Sequence, residues 1–251
     1  MSPSDDRRKN VTFEDFRHLA SDDSLSKYER IGFPDSYRAG FEHRIFEDIT
    51  AKVPQLLGPP GLVVDIGPGC SDLPGLIIDT CAARGHRLVL VDSPEMLARL
   101  PNRPFVRKVP GRFPQDCEDV IGEIRGSAAA VISYSVFHYV FAEGSVFQFF
   151  DAVLGLLAPG GAALIGDIPN LSKRRRFFAS ARGKAFHRDF MQTSEDPEVE
   201  FNRLDPGAID DAALTALVSR ARAMGFDTYL LPQRDELPMA NRREDLLAVR
   251  P

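Results

Sequence analysis

The sequence predicts an α/β fold with a doubly wound, mostly parallel sheet, and three observations carry that prediction. Between residues 61 and 168, short β-rich apolar runs alternate with helix-length segments, the pattern of parallel strands joined by crossover helices. The first run ends in a Gly-Pro-Gly turn leading into a helix, as expected at a ligand-binding switch point of such a sheet. The chain closes on strand-like runs at 226–231 and 246–249 around a polar connection, which read as an antiparallel hairpin.

Residues 1–10 offer almost nothing apolar to bury and read as frayed, with order beginning near Val11. Residues 1–57 make an N-terminal helical cap, in which Phe13, Phe16 and Leu19 share one face and Ile45, Phe46 and Ile49 another before Pro54. Residues 58–251 form the α/β domain. Its first five strands are expected at LVVDI, RLVLVD, PFVRKV, AAAVISYSV and GAALIGDI, and its helices over 73–83, 94–100, 115–124 and 143–157. The last helix carries Phe147, Phe150, Val153, Leu154 and Leu157 toward the sheet and is stopped by Pro159, Gly160 and Gly161. Residues 168–206, with KRRR, several phenylalanines and an acidic patch, read as a lid-like insertion after the fifth strand. Asp210 then caps a helix that turns Ala213, Leu214, Leu217, Val218 and Ala221 to the sheet and ends at Gly225.

With 251 residues and 43% hydrophobic content the chain can bury a substantial core. Its 31 basic and 36 acidic residues give a net charge of −5, so no global positive field favours nucleic acid as the partner. The odd set Cys70, Cys81 and Cys117 matches neither a disulfide framework nor a zinc site. No apolar leader or membrane-length apolar segment interrupts the sequence, so a soluble, cytoplasmic protein is expected, with its oligomeric state left open.

The strongest local signal is Val63-Val64-Asp65-Ile66-Gly67-Pro68-Gly69-Cys70-Ser71, a strand running into a turn where backbone can approach a ligand. The second is Asp92, at the end of the second strand, where a carboxylate can accept both hydroxyls of a ribose. Each has a plainer reading. The Gly-Pro-Gly turn can be only a tight connection, and Asp92 can be an N-cap ahead of Ser93 and Pro94.

Together, the D-x-G-x-G turn and Asp92 resemble the class I S-adenosylmethionine-dependent methyltransferases. Weaker matches follow in the right order: Gly111-Arg112-Phe113-Pro114, Ser133-Tyr134-Ser135-Val136-Phe137-His138 and Leu157-Ala158-Pro159-Gly160-Gly161. The resemblance implies a Rossmann-like sheet of seven strands with a reversed last strand, which the terminal hairpin supplies. It implies S-adenosylmethionine as cofactor, with Asp65, Gly67, Pro68 and Gly69 near its methionine part. Asp92 with Ser93 would hold the ribose, Gly111, Arg112 and Phe113 would flank adenine, and Ser133 would lie just beyond. Members often carry an acidic residue where Arg112 stands. Tyr28, in a dense polar and aromatic stretch of the cap, is placed to reach the cofactor carboxylate or the acceptor; helix packing explains it as well.

Methyl transfer needs an aligned nucleophile and, for a hydroxyl, removal of a proton. His138, past the fourth strand, and His187, in the insertion, are the candidate bases; the aromatic neighbours of His138 equally suit a packed histidine. No metal set is evident. The expected acceptor is a small molecule, with a hydroxyl of a sugar or secondary metabolite ranked first. Three rivals stand beside this reading. A nicotinamide oxidoreductase would need G-x-G-x-x-G, but Asp72 occupies the third glycine's place. The others are a non-catalytic protein keeping the fold, and RNA or protein methylation through residues 173–176.

Overall fold

The computed structural model describes residues 12–203 and 205–251, so the expected fraying of residues 1–10 and the start of order near Val11 lie outside the described residues. Seven strands form one sheet in the order β3-β2-β1-β4-β5-β7-β6. They are β1 Leu62–Ile66, β2 Arg87–Asp92, β3 Val106–Pro110, β4 Ala128–Tyr134, β5 Leu157–Pro169, β6 Asp227–Pro232 and β7 Arg243–Val249. The first five pair in parallel, and β7 slots antiparallel between β5 and β6, as the terminal hairpin predicts.

The alternation of side chains along the strands builds a core on each face of the sheet. Leu62, Val64 and Ile66 of β1 point one way, with Val89 and Val91 of β2, onto Phe149, Phe150, Val153 and Leu154 of a helix on that face. Val63, Leu88 and Leu90 point the other way, onto Ile77, Ile78 and Cys81. The cap joins this second core through Ile45, Ile49, Val53 and Leu56 rather than forming one of its own.

The cap comprises α1 Phe13–Ser21, a 3-10 turn Glu29–Ile31, α2 Asp35–Arg38, α3 Glu42–Lys52 and a second 3-10 turn Pro54–Leu57. Around the sheet run α4 Leu73–Arg84, α5 Pro94–Ala98, α6 Glu118–Ile124, α7 Phe137–Glu143 and α8 Val146–Leu156. The insertion holds α9 Leu171–Ala179 and α10 Ala181–Met191, and α11 Asp211–Ala223 follows. Among the described residues no helix is long and apolar enough to cross a membrane.

The helix expected over 143–157 differs at both ends. It begins as α8 at Val146, because Ser145 caps it through the Gln148 amide, and α7, just before it, was not expected. Helix α8 ends at Leu156, ahead of Pro159, since Leu157 already pairs with Ala128. Gly161 is there for room, because a Cβ on it would lie 2.5 Å from the Ala128 carbonyl oxygen.

Candidate functional site

The turn after β1 is forced to be glycine. Gly67 and Gly69 have φ of 72° and 66°, and a Cβ would approach Val136 Cγ2 to 2.4 Å or Ile31 Cγ2 to 2.7 Å. The Gly69 amide donates to Asp92 Oδ2 at 2.9 Å and the Ser93 amide to Oδ1 at 2.7 Å. Helix capping belongs to Ser93, whose hydroxyl accepts from the Met96 amide, which leaves the remaining lone pairs of Asp92 for the cavity it lines. Burial raises the Asp92 carboxyl to about 6 against the opposing pull of the two amides. Behind it, burial and then the Asp92 charge push Asp65 up to about 8.

The loop after β3 closes the same end. The Gly111 amide donates to the Asp92 carbonyl at 2.9 Å, and Phe113 meets Phe149 edge-on with centroids 5.5 Å apart. Above them α1 forms a roof with Phe13 and Phe16 on the cavity. Arg17 fixes this roof to Glu95 at 2.8 Å, and the Arg112 guanidinium lies 4.8 Å from the Phe13 ring centre and 3.8 Å from Glu14. Phe16 meets Tyr139 of α7 edge-on at 4.7 Å, so the roof spans from α5 to α7.

The cavity, about 580 Å³, lies at the carboxyl edge of the sheet. Gly67, Pro68 and Gly69, then Asp92, then Gly111, Arg112 and Phe113 all lie on its wall. The other cofactor candidates lie behind it. Asp65 and Ser93 are buried, and Ser133 Oγ is buried without a hydrogen-bond partner. Tyr28 is buried and its hydroxyl donates to Asp72 at 3.2 Å.

Neither histidine candidate reaches the wall. His138 on α7 stacks against Tyr139 with centroids 3.8 Å apart, and its Nδ1 is buried without a partner. Burial, and secondarily Arg243, drive its imidazole down to about 3, so it is neutral at physiological pH. His187 on α10 packs edge-on against Phe178 at 6.1 Å. The basic run beside it is engaged internally. Lys173 Nζ donates to the Arg243 carbonyl at 2.7 Å, Arg174 lies over Phe178, Arg175 pairs with Asp205, and Arg176 with Asp211.

Sequence reasoning overlooked the far end of the cavity, at the tips of β4 and β5. Ser135 and Asp167 both adopt left-handed backbone, at φ 63° and 60°, unusual for non-glycine residues and a recurrent mark of functional sites. Ser135 Oγ donates to Asp167 Oδ2 at 2.5 Å and accepts from Arg38 Nη2. Arg243 Nη1 meets Asp167 Oδ2 at 2.9 Å, and Gln233 Nε2 donates to Asp167 Oδ1 at 3.3 Å. An acidic residue closing a strand was the signal that found Asp92, and it would have found Asp167 in GDIP. Arg38 has no comparable signal.

No family model and no curated protein matches the chain. Solved structures do. The CurJ carbon methyltransferase matches at 15% identity and TM-score 0.56, over 98% of this chain and 67% of that one. The plantazolicin methyltransferase BpumL, in complex with S-adenosylhomocysteine, matches at 12% identity and TM-score 0.56, over 98% of each chain. The N-methyltransferase NodS from Bradyrhizobium japonicum, also with S-adenosylhomocysteine, matches at 13% identity and TM-score 0.51, over 96% of this chain and 100% of that one. At such identities the likeness is one of fold: the strand order with its reversed seventh strand is that of the class I methyltransferases.

Proposed function

We propose that this chain, with its class I methyltransferase fold, is an S-adenosylmethionine-dependent methyltransferase of a small-molecule acceptor. The acceptor atom we assign is a hydroxyl of a sugar or secondary metabolite. The observation that carries the reading is the cavity's two-part wall. One end presents the glycine turn and a buried carboxylate at β1 and β2, as a nucleoside ligand requires; the other is largely aromatic and runs to the tips of β4 and β5. A volume of about 580 Å³ is within the range of small-ligand sites.

When bound, the cofactor supplies an electrophilic sulfonium methyl group. Ionised Asp92 accepts hydrogen bonds from ribose hydroxyls, while the Gly67 to Gly69 backbone admits close approach. Phe13, Phe16 and Phe113 exclude water and present apolar faces to a planar base. Alignment of the acceptor falls to the Tyr134, Ser135 and Tyr139 wall, and that positioning is the chain's principal catalytic contribution.

The matched structures include carbon and nitrogen methyltransferases by name, so the fold alone does not choose the acceptor atom. Internal pairing of residues 173–176 leaves little free charge for RNA, which weighs against that rival. The test is calorimetric titration of S-adenosylmethionine and S-adenosylhomocysteine, with NAD as control. Micromolar binding of the first two but not of NAD is expected and would license an acceptor screen. No binding to folded protein would leave a non-catalytic role.

A further inference from the structure

Arg38 ends α2, is only 4% exposed, and forms part of the cavity wall. Its guanidinium lies 4.3 Å from the centre of the Phe33 ring and 5.5 Å from that of Tyr134. Only Nη2 is engaged, donating to Ser135 Oγ and lying 3.5 Å from Asp167 Oδ2. Among the described residues, neither Nε nor Nη1 of Arg38 has a hydrogen-bond acceptor, and Arg38 lines the cavity.

Asp167 does not depend on Arg38 for its counter-charge. Arg243 Nη1 meets its carboxylate at 2.9 Å and its carbonyl at 2.8 Å, and Gln233 donates to the other carboxylate oxygen. Lys52 is separately satisfied between Asp48 at 2.6 Å and Asp245 at 2.7 Å. Arg38 is thus a buried, permanently charged fork with idle donors. Such burial is costly unless a ligand completes it, and a planar fork matches the two oxygens of a carboxylate.

We propose that Arg38 receives a carboxylate carried into the cavity by a ligand, either the amino-acid end of the proposed cofactor or an acid group on the acceptor. The first source rests on the methyltransferase reading; the second stands without it. The Phe33 and Tyr134 rings lie against the guanidinium and hold its plane, so the fork is preset for an anion with two coplanar oxygens.

Calorimetry on the full chain separates the sources. S-adenosylhomocysteine is compared with 5′-methylthioadenosine, which keeps the nucleoside thioether and lacks the amino-acid end. Protein saturated with S-adenosylhomocysteine is then titrated with benzoate and with neutral benzamide. If the cofactor is the source, R38M weakens S-adenosylhomocysteine about tenfold or more and leaves 5′-methylthioadenosine unchanged. If the acceptor is the source, S-adenosylhomocysteine binds R38M normally, while benzoate, bound by wild type in preference to benzamide, is lost. R38K keeps the charge without the fork, should show an intermediate loss, and serves in place of R38M if that variant does not fold. Unchanged binding of all three ligands in both variants, with only a lower melting temperature, would make Arg38 a tie between cap and sheet and overturn the proposal. Should wild type bind neither nucleoside, the methyltransferase reading fails, and benzoate titrated into unliganded protein still decides Arg38: R38M-sensitive binding supports it and no binding overturns it.

Discussion

The two ends of the cavity are built in opposite ways. At β1, β2 and β3 the wall is mostly backbone and one carboxylate, drawn from three short runs, 65–69, 92–93 and 111–113, which meet through hydrogen bonds to Asp92. At β4 and β5 it is side chains, Arg38, Tyr134 and Ser135, with Arg38 and Ser135 backed by a network through Asp167, Gln233 and Arg243, residues brought together only by the finished fold. A turn held at positive φ and in close contact tolerates few residue types other than glycine. A network spread over the chain can be rebuilt for a new ligand by changing one side chain, so the contrast fits an invariant ligand at one end and a variable one at the other.

The sharpest way to break this comparison is Asp92→Ala. It removes the proposed ribose acceptor together with the hydrogen bonds that hold Gly69 and Ser93. Charge-assisted hydrogen bonds are worth roughly 1.5–3 kcal/mol each, so S-adenosylhomocysteine affinity should fall by about 100-fold or more in calorimetry. Retained affinity would mean that the carboxylate serves the turn alone. Gly67→Ala should act through the fold, since its φ of 72° and the 2.4 Å approach to Val136 strain any side chain. A loss of about 1–3 kcal/mol is expected in urea unfolding, partly recovered in Gly67→Ala/Val136→Ala, where only the backbone strain persists.

The buried carboxyls give the glycine-turn end a pH signature. Asp65, raised to about 8, and Asp92, raised to about 6, keep their protons when folded, whereas the unfolded chain releases them near 3.8. Between those values these two groups hold more protons in the folded state, so their contribution to stability falls as pH rises from about 4 to 8 and levels off above, while buried neutral His138 contributes in the opposite sense up to about 6.5. Asp65→Asn should remove the part of that decline between pH 6 and 8, read as a flatter melting-temperature profile. Ligand affinity runs the other way. Ribose hydroxyls need ionised Asp92, so binding should strengthen as pH rises through about 6, and a pH-independent affinity would remove Asp92 from the ribose site.

The same division explains what the sequence made legible. The parallel sheet, the reversed terminal strand and the glycine turn follow from contiguous patterns, because strand burial and positive φ are local demands. Helix α7 went unread because its N-cap, Val136, offers no side-chain cap and Phe137, Val140 and Phe141 continue the apolar run of β4, whereas Ser145 marks the start of α8. Arg38, Asp167 and Arg243 were illegible as a group, since their meeting depends on the cap crossing to the tips of β4 and β5. Roofing by α1 depends likewise on Arg17 finding Glu95, a contact between residues far apart in sequence.

His138 is where sequence proximity and geometry separate most clearly. It follows the fourth strand within a motif, yet its Nδ1 is buried away from the cavity and its imidazole binds a proton only near pH 3. A base so weak contributes little at neutral pH, because proton transfer is most effective from a group whose pKa lies near the working pH. His138→Ala should therefore leave S-adenosylhomocysteine affinity unchanged and alter turnover of an identified acceptor by less than about threefold. A fall of about 100-fold at unchanged affinity would show that the bound state opens α7 and brings the imidazole to the acceptor, which would extend the side-chain-built end of the cavity from Arg38 and Ser135 to the helix that follows β4.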